Sequence, residues 1–205
     1  MAPVKERRVR EKEELRQQIL GAARDLFVRE GYENLSMRRV AEKIEYSPTT
    51  IYLYFKDKSD LLCQLCEETF ARLVREFVAI EQDASDPVAC LRKVLRAYVE
   101  FGLKHPNDYK VTFMLGHPEA DTEWDRYLNP HSVGMKAFEF LPRLVGEAVR
   151  QGTFRNVDVA TASQTLWAAG HGITSLLIAH PMFPWVDREE LIEHLIDTML
   201  AGLKA

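Results

Sequence analysis

Two of the three cysteines, Cys63 and Cys66, have the C-x-x-C spacing that serves both zinc coordination and thiol redox chemistry. A tetrahedral zinc site needs two further ligands, and no second pair follows in the sequence. Both cysteines fall among the apolar residues Leu62, Leu65 and Phe70 in a segment with helical periodicity. The pattern therefore favours buried apolar packing, with redox sensing as the alternative.

The sequence lacks the other residue patterns that support catalysis. Its six histidines are scattered, and Glu190 with His194 is an isolated pair of the kind that helix surfaces often carry. There is no glycine-rich phosphate loop, no G-x-S-x-G motif and no repeated Glu-x-x-His spacing for a di-metal centre. We expect no enzyme, no metal site and no cofactor, with a helical-bundle catalyst of unrecognised residues as the alternative.

The segment that follows Ser47 and Pro48 presents residue types that suit DNA recognition. Serine as a cap and proline at the first helical position predict a helix over residues 49–55. At about 100° per residue, Ile51 and Phe55 share the core side. The side chains expected to point away from the core are those of Thr49, Tyr52, Leu53 and Lys56.

An outward-facing tyrosine and leucine suit a helix that lies in a DNA groove better than one that faces water. There, Leu53 and the threonine methyl groups can contact thymine methyls, while hydroxyls bond to base edges or phosphates. The alternative is that Tyr52 and Leu53 pack beneath the following helix.

Helices must position these side chains, because apolar residues recur at three- and four-residue intervals along most of the chain. The first predicted helix has its apolar stripe from Leu15 to Phe27 and ends at Gly31, a left-handed cap. Ser36 caps a short second helix that ends near Ile44, and residues 49–55 form the third. A fourth, capped by Asp57, continues to about residue 81.

The remainder of the chain is also predicted to be helical. Helices are expected from Pro87 to just before Pro106, over 106–115, over 131–151 with Gly152 as the cap, over 158–180, and after the cap Asp187. Residues 116–130 read as a loop. No segment alternates with period two, so the expected fold class is all-α with about nine helices.

Charge and composition restrict the compartment and the partners. Residues 1–60 carry 13 basic and 11 acidic side chains, a net charge of +2, whereas residues 61–205 carry 14 and 20, a net charge of −6. The net charge of −4 is therefore unevenly distributed along the chain. Lys5, Arg7, Arg8 and Arg10 form a basic start that is either a DNA-contacting arm or a frayed terminus. The chain has no long apolar run and an odd number of cysteines, so we expect a cytoplasmic protein that does not bind membranes.

Residues 13–73 resemble the DNA-binding domain of the TetR family of bacterial transcriptional regulators, with the helix-turn-helix motif at 36–55. The resemblance is carried by ILGAARDLFVREGYENL and SMRRVAEKIEYSPTTIYLYFKDKSDLL, and within them by Ala22, Phe27, Gly31, Ala41, Ser47, Tyr52, Phe55, Lys58 and Leu61. It implies an amino-terminal three-helix DNA-binding domain. A helical ligand-binding and dimerisation domain over residues 86–205 would follow.

The resemblance also implies which residues meet double-stranded DNA. Arg38 corresponds to a base or phosphate contact and Lys58 to a phosphate contact, while the recognition contacts are Thr49, Thr50, Tyr52, Leu53 and Tyr54. Two positions depart from the family pattern, because Glu45 and Thr49 stand where glycine is usual. A positive φ at Glu45 would carry a strain of about 1 kcal/mol.

In the second half, Trp167, His171 and Gly172 form a W-x-x-x-H-G spacing that resembles one carboxy-terminal subgroup of the family. The first two are expected to be core or pocket wall. The family also implies a homodimer, here through residues 159–179 and 188–203, and the apolar residues Leu166, Ile173, Leu176 and Leu177 motivate that assignment.

The implied function is that of a repressor released from a palindromic operator by an unidentified small hydrophobic ligand. Candidate ligand-binding residues are Phe101, Phe113, Phe138, Trp167 and His171. The alternative is a DNA-binding module without a small-molecule switch.

Overall fold

The computed structural model describes residues 4–83, 86–115 and 132–205. In these ranges the chain forms nine α-helices and no β-strand, beyond a single bridge between Phe154 and Lys204. The helices are α1 (Val4–Glu30), α2 (Met37–Lys43), α3 (Pro48–Tyr52), α4 (Lys58–Gln82), α5 (Pro87–Lys104), α6 (Pro106–Tyr109), α7 (Val133–Arg150), α8 (Val159–Ala179) and α9 (Arg188–Ala201). A π-helical turn, Lys110–Met114, follows α6. The prediction of an all-α fold is confirmed.

Side-chain caps set most of the helix starts where the sequence places them. Each cap accepts a hydrogen bond from the backbone N–H three residues further along, which satisfies a donor that the helix leaves unpaired. These caps are Ser36, Ser47, Asp57, Asp86, Asp158 and Asp187. Gly31, directly after α1, has a φ of 79°, and Gly152, two residues after the end of α7, has a φ of 72°.

Two helices differ from the prediction. α3 ends at Tyr52 instead of residue 55, because its last turn tightens: the N–H of Leu53 bonds to the carbonyl of Thr50 at 3.2 Å. α1 begins at Val4, well before the apolar stripe that starts at Leu15. The predicted loop at 116–130 lies outside the described residues.

The described residues divide into two compact units. One contains 4–69 and 107–115, and the other contains 70–83, 86–106 and 132–205, so α4 contributes residues to both. In the first unit α1 packs on α2 and on the π-helical turn, and α2 packs on α3. In the second unit α5 is central and contacts α7, α8 and α9.

Each unit has its own apolar core. The first is built on buried residues of α1 to α3, of α6 and of α4 as far as residue 69, and the second on buried residues of α5, α7, α8, α9 and the rest of α4. Their most completely buried members include Ile19, Leu20, Phe27, Ile51, Phe55, Leu61, Leu91, Val145, Leu166 and Ile192. No helix in the described ranges has the length and apolar character needed to cross a membrane.

Candidate DNA-binding site

α2 and α3 form a helix-turn-helix that a left-handed residue closes. Glu45 has a φ of 61°, and the next N–H, that of Tyr46, bonds back to the carbonyl of Ala41 at 3.0 Å. In this region a residue with a Cβ carries a strain of about 1 kcal/mol or more. The expected turn therefore forms although Glu45 occupies the position where glycine is usual. Because its φ is positive, Glu45 carries the backbone strain expected from the sequence.

One side of α3 anchors it to the first unit. Ile51 is fully buried and Phe55, just beyond the helix, is almost fully buried. The guanidinium carbon of Arg16 on α1 lies 5.8 Å from the centre of the Phe55 ring. The predicted core side of α3 is confirmed, and this anchoring fixes the direction of its other side.

The other side of α3 is open. Tyr52 is 56% exposed and Leu53 is 75% exposed, and Thr49 and Lys56 are also exposed. The alternative in which Tyr52 and Leu53 pack beneath α4 is therefore wrong. Apolar and hydroxyl groups together on a rigid, exposed helical turn are the groups that read base edges in a major groove.

The remaining predicted contact residues differ in their exposure and in the side chains they contact. Arg38 is exposed, and its Nε donates to Glu42 Oε1 at 2.9 Å. The Thr50 and Ser47 hydroxyl oxygens lie 2.9 Å apart. Tyr54 is half-buried, and Lys12 Nζ lies 5.9 Å from the centre of its ring.

Lys58, at the first position of α4, is half-buried, and its Nζ lies 4.1 Å from the centre of the Tyr32 ring. Such a cation–π contact holds the amino group in place. Sequence reasoning misses two exposed neighbours of α3 as contact candidates, namely Tyr46 and Lys12. The sequence pattern puts Tyr46 in the turn without a role, and Lys12 becomes a candidate only through its distance to Tyr54.

The second unit holds an aromatic cluster, defined by Phe138, Trp167 and His171. The Phe138 and Trp167 ring centres lie 5.8 Å apart, and those of Trp167 and His171 lie 6.4 Å apart. Trp167 Nε1 donates to the hydroxyl oxygen of Tyr98 at 3.2 Å, and 40% of the Trp167 side chain is exposed. Burial lowers the pKa of His171 below its usual value, so the imidazole is neutral near pH 7.

The structure brings only three of the five ligand candidates into that cluster. Phe101 is buried against other partners, with its ring centre 5.0 Å from that of His105. Phe113 belongs to the first unit, where its ring centre is 4.8 Å from that of Tyr109. Sequence reasoning selects these aromatics by type alone, and type does not indicate which helices meet.

The cysteine pair is part of the first unit's core. Cys63 and Cys66 are both buried on α4, as the packing interpretation predicts. In the described ranges, no three His, Cys, Asp or Glu side chains form a group that could hold a metal ion. Glu190 and His194 are both exposed on α9.

Two family models match the chain. Residues 19–65 match the family described as bacterial regulatory proteins, tetR family, and residues 91–199 match the tetracyclin repressor-like C-terminal domain. The first match contains α2, α3 and the turn at Glu45. The second covers about half of the chain and includes the W-x-x-x-H-G spacing.

Individual proteins agree with these matches. The HTH-type transcriptional regulator SAR2658 of Staphylococcus aureus (strain MRSA252) is 33% identical over 92 residues, which are 45% of this chain and 50% of the regulator. The chain thus spans about half the length of the curated relatives it matches.

Solved structures resemble the chain over most of its length. The TetR family transcriptional regulator PfmR from Thermus thermophilus has a TM-score of 0.69 at 25% identity, covering 91% of this chain and 96% of that one. FadR from Bacillus subtilis in complex with stearoyl-CoA has a TM-score of 0.78 at 19% identity, covering 91% and 98%. At that identity the FadR likeness shows the fold alone.

Proposed function

Because the chain belongs to the TetR family of bacterial regulatory proteins, we propose that it is a transcriptional repressor that a small hydrophobic ligand releases from a palindromic operator. The observation that carries the DNA-binding part is the exposure of Tyr52 and Leu53 on a helix whose opposite side is anchored by Ile51 and Phe55. Fixed direction and free surface are both needed for base recognition in a groove.

Within this proposal the exposed residues of α3 read bases and two cations hold phosphates. Leu53 contacts a thymine methyl, and Thr49, Thr50, Tyr52 and Tyr54 supply hydroxyls to base edges or to the backbone. Lys58 stands at the amino-terminal end of α4, where the helix dipole also favours an anion. Arg38 reaches a phosphate or base from the start of α2.

A homodimer through α8 and α9 would place its two recognition helices, one α3 from each subunit, on a two-fold symmetric operator. The apolar residues that motivate this interface in the sequence need correction, because Leu166, Ile173 and Leu177 are buried within their own subunit. Leu176 is the member that stays exposed, at 46%. The better support is its place one turn from the exposed Ala179 on α8, a small residue that lets a partner helix approach closely.

For the ligand, support comes from the aromatic cluster. A partly exposed tryptophan between Phe138 and a neutral His171 offers apolar rings together with uncharged hydrogen-bonding groups. That combination suits an apolar molecule with a few polar atoms. Because the structurally similar FadR was solved with stearoyl-CoA, long-chain acyl-CoA compounds are reasonable first probes.

α4 offers a physical connection between ligand and DNA. It begins at Lys58 and runs for 25 residues, about 37 Å at 1.5 Å per residue. A ligand that displaces its far end would alter the separation of the two recognition helices in a dimer. By linkage, operator DNA must then weaken ligand binding by the factor by which ligand weakens DNA binding, typically about 5 to 150-fold.

The test has two stages. DNA selected from a random pool would provide the operator, and its affinity for Arg38→Ala and Lys58→Ala would be compared with that for the wild-type chain. A phosphate contact should lower the salt slope by about one per subunit when removed.

A thermal-shift screen of acyl-CoA and other hydrophobic compounds would then seek a ligand, because binding to the native state raises its melting temperature. If saturating operator did not change the affinity for such a ligand, the ligand would not be the switch, and the alternative of a DNA-binding module without a small-molecule switch would be favoured.

A further inference from the structure

The first turns of α1 extend beyond the core of their unit. Residues 6–14 are exposed without exception, and the first buried residue of the helix is Ile19. A helical segment that buries no apolar surface gains little stability from packing. This segment, called here the α1 extension, therefore presents its side chains to a partner or to solvent.

The basic residues of the α1 extension lie on two different faces of the helix. Arg8 and Lys12 stand four residues apart and so lie one above the other on one face. Arg7 and Arg10 point about 100° or more away from Arg8 and Lys12, at about 100° per residue. Glu11, which precedes Lys12 in the chain, is engaged by Arg7, with Nε and Oε1 3.3 Å apart.

The Arg8 and Lys12 face is directed to the side of the recognition helix. Lys12 Nζ lies 5.9 Å from the centre of the Tyr54 ring, and one turn further along α1 Arg16 lies 5.8 Å from Phe55. Tyr54 and Phe55 are the second and third residues after the end of α3. Arg8 is one turn further from α3 than Lys12, a rise of about 6 Å along the helix.

We propose that this face, defined by Arg8 and Lys12, contacts phosphates of the operator duplex outside the groove that α3 occupies. The inference rests on the proposed DNA binding and adds a second contact surface to it. Both side chains are exposed, and Lys12 lies beside Tyr54, one of the proposed contact residues. Arginine and lysine in such a position are the groups that neutralise backbone phosphates. Neither Arg8 nor Lys12 is aromatic, and the adjoining ring of Tyr54 is half-buried, so the face fits the duplex backbone better than it fits an unpaired, stacked base.

The chain provides a matched control for this proposal. Arg8→Gln with Lys12→Gln and Arg7→Gln with Arg10→Gln each remove two positive charges from neighbouring positions of the same exposed segment. Only the first pair alters the face that adjoins Tyr54. Because all four residues are exposed, both double variants should keep the wild-type melting temperature and helix content, which circular dichroism would check.

The measurement is operator affinity by fluorescence anisotropy across a salt series, with the selected operator in a long and a trimmed duplex. Each lost phosphate contact lowers the salt slope by about 0.9, so Arg8→Gln with Lys12→Gln should lower it by about 1.8 per subunit. The control pair should leave the slope within about 0.5 of wild type. The wild-type chain should also bind the long duplex more tightly than the trimmed one, and the first variant should lose that difference.

Equal slopes for the two double variants would overturn the proposal, since the effect would then be one of net charge. So would a wild-type chain that binds long and trimmed duplexes equally. A chain that selects no DNA at all would instead refute the proposed function. Unchanged operator binding by Arg8→Gln with Lys12→Gln, together with a clear loss for Tyr52→Ala, would refute the face alone and leave the recognition helix intact.

Discussion

Trp167 on α8 donates its indole N–H to the hydroxyl oxygen of Tyr98 on α5, across 3.2 Å. Tyr98 is buried, whereas Trp167 remains 40% exposed. The bond therefore fixes the orientation of a partly accessible ring from a buried position. It makes the aromatic cluster a preformed surface, as a ligand site needs.

Replacing Tyr98 by phenylalanine should loosen this ring. Loss of the hydroxyl removes the acceptor for the indole N–H, and a neutral hydrogen bond of this kind contributes about 0.5–1.5 kcal/mol to the free energy of unfolding. We expect a decrease of that size in urea unfolding and a smaller ligand-induced rise in melting temperature. Tyr54→Phe, in the other unit, is the control and should leave the ligand-induced rise unchanged. If the Tyr98→Phe variant showed the same ligand-induced rise in melting temperature as wild type, the aromatic cluster would not be the ligand site.

Acid should destabilise the folded chain through His171. Burial lowers the pKa of this imidazole in the folded state, so the unfolded chain, with its ordinary value of about 6.5, takes up the proton first. Stability from this group is thus present above about pH 6.5 and is lost as the pH falls below it. The melting temperature of His171→Gln should fall less steeply than that of wild type between about pH 6.5 and 5. His194→Gln, which alters an exposed histidine, should follow the wild-type curve.

Glycine at position 45 should stabilise the helix-turn-helix. Glu45 adopts a φ of 61°, and glycine removes the Cβ clash at a smaller cost in unfolded-chain entropy. The expected gain for Glu45→Gly is about 0.5–1 kcal/mol in the free energy of unfolding. Glu45→Ala removes the charge but keeps the Cβ, so it should give no comparable gain. A stabilisation of equal size in both variants would show that charge, and not backbone strain, limits stability here.

An ion pair ties the start of α6 to α1 within the first unit. Arg24 Nε pairs with Asp108 Oδ1, and Asp108 is buried while Arg24 is about one quarter exposed. Removing one partner leaves a poorly solvated charge, so Asp108→Ala should cost about 1–3 kcal/mol. The double variant Arg24→Met with Asp108→Leu should recover part of that loss. Urea unfolding of the three variants checks the pair, and a double variant less stable than Asp108→Ala would contradict this account.

Capping chemistry makes most of the fold predictable. Ser36, Ser47 and Asp187 each combine a short polar side chain with a following apolar period, and that local signal sets a helix start without help from the rest of the chain. The turn at Glu45 follows from the same signals, because it lies between two such helices. The outward side of α3 follows from Ile51 and Phe55, because two anchored residues fix the direction of a short helix.

Other features depend on information that no local pattern carries. The start of α1 escapes prediction because an exposed helix with mixed charges has no apolar period to reveal it. Phe101 and Phe113 resemble Phe138 in side-chain type, yet contacts between distant helices decide which rings meet. The burial of Leu166, Ile173 and Leu177 is likewise invisible in the sequence, since a helix with apolar residues on several sides does not show which side faces its own subunit.

The most direct test of the central claim is the selection of double-stranded DNA from a random pool by the wild-type chain and by Leu53→Ala. If α3 reads bases in a symmetric dimer, the wild-type chain enriches an inverted repeat, and Leu53→Ala changes the preferred base at one position of each half-site. That change is expected because an apolar contact reads a thymine methyl, whereas a phosphate contact carries no sequence information. Enrichment of no sequence by the wild-type chain, or identical preferences in both chains, would contradict the assignment of α3 as the reading element.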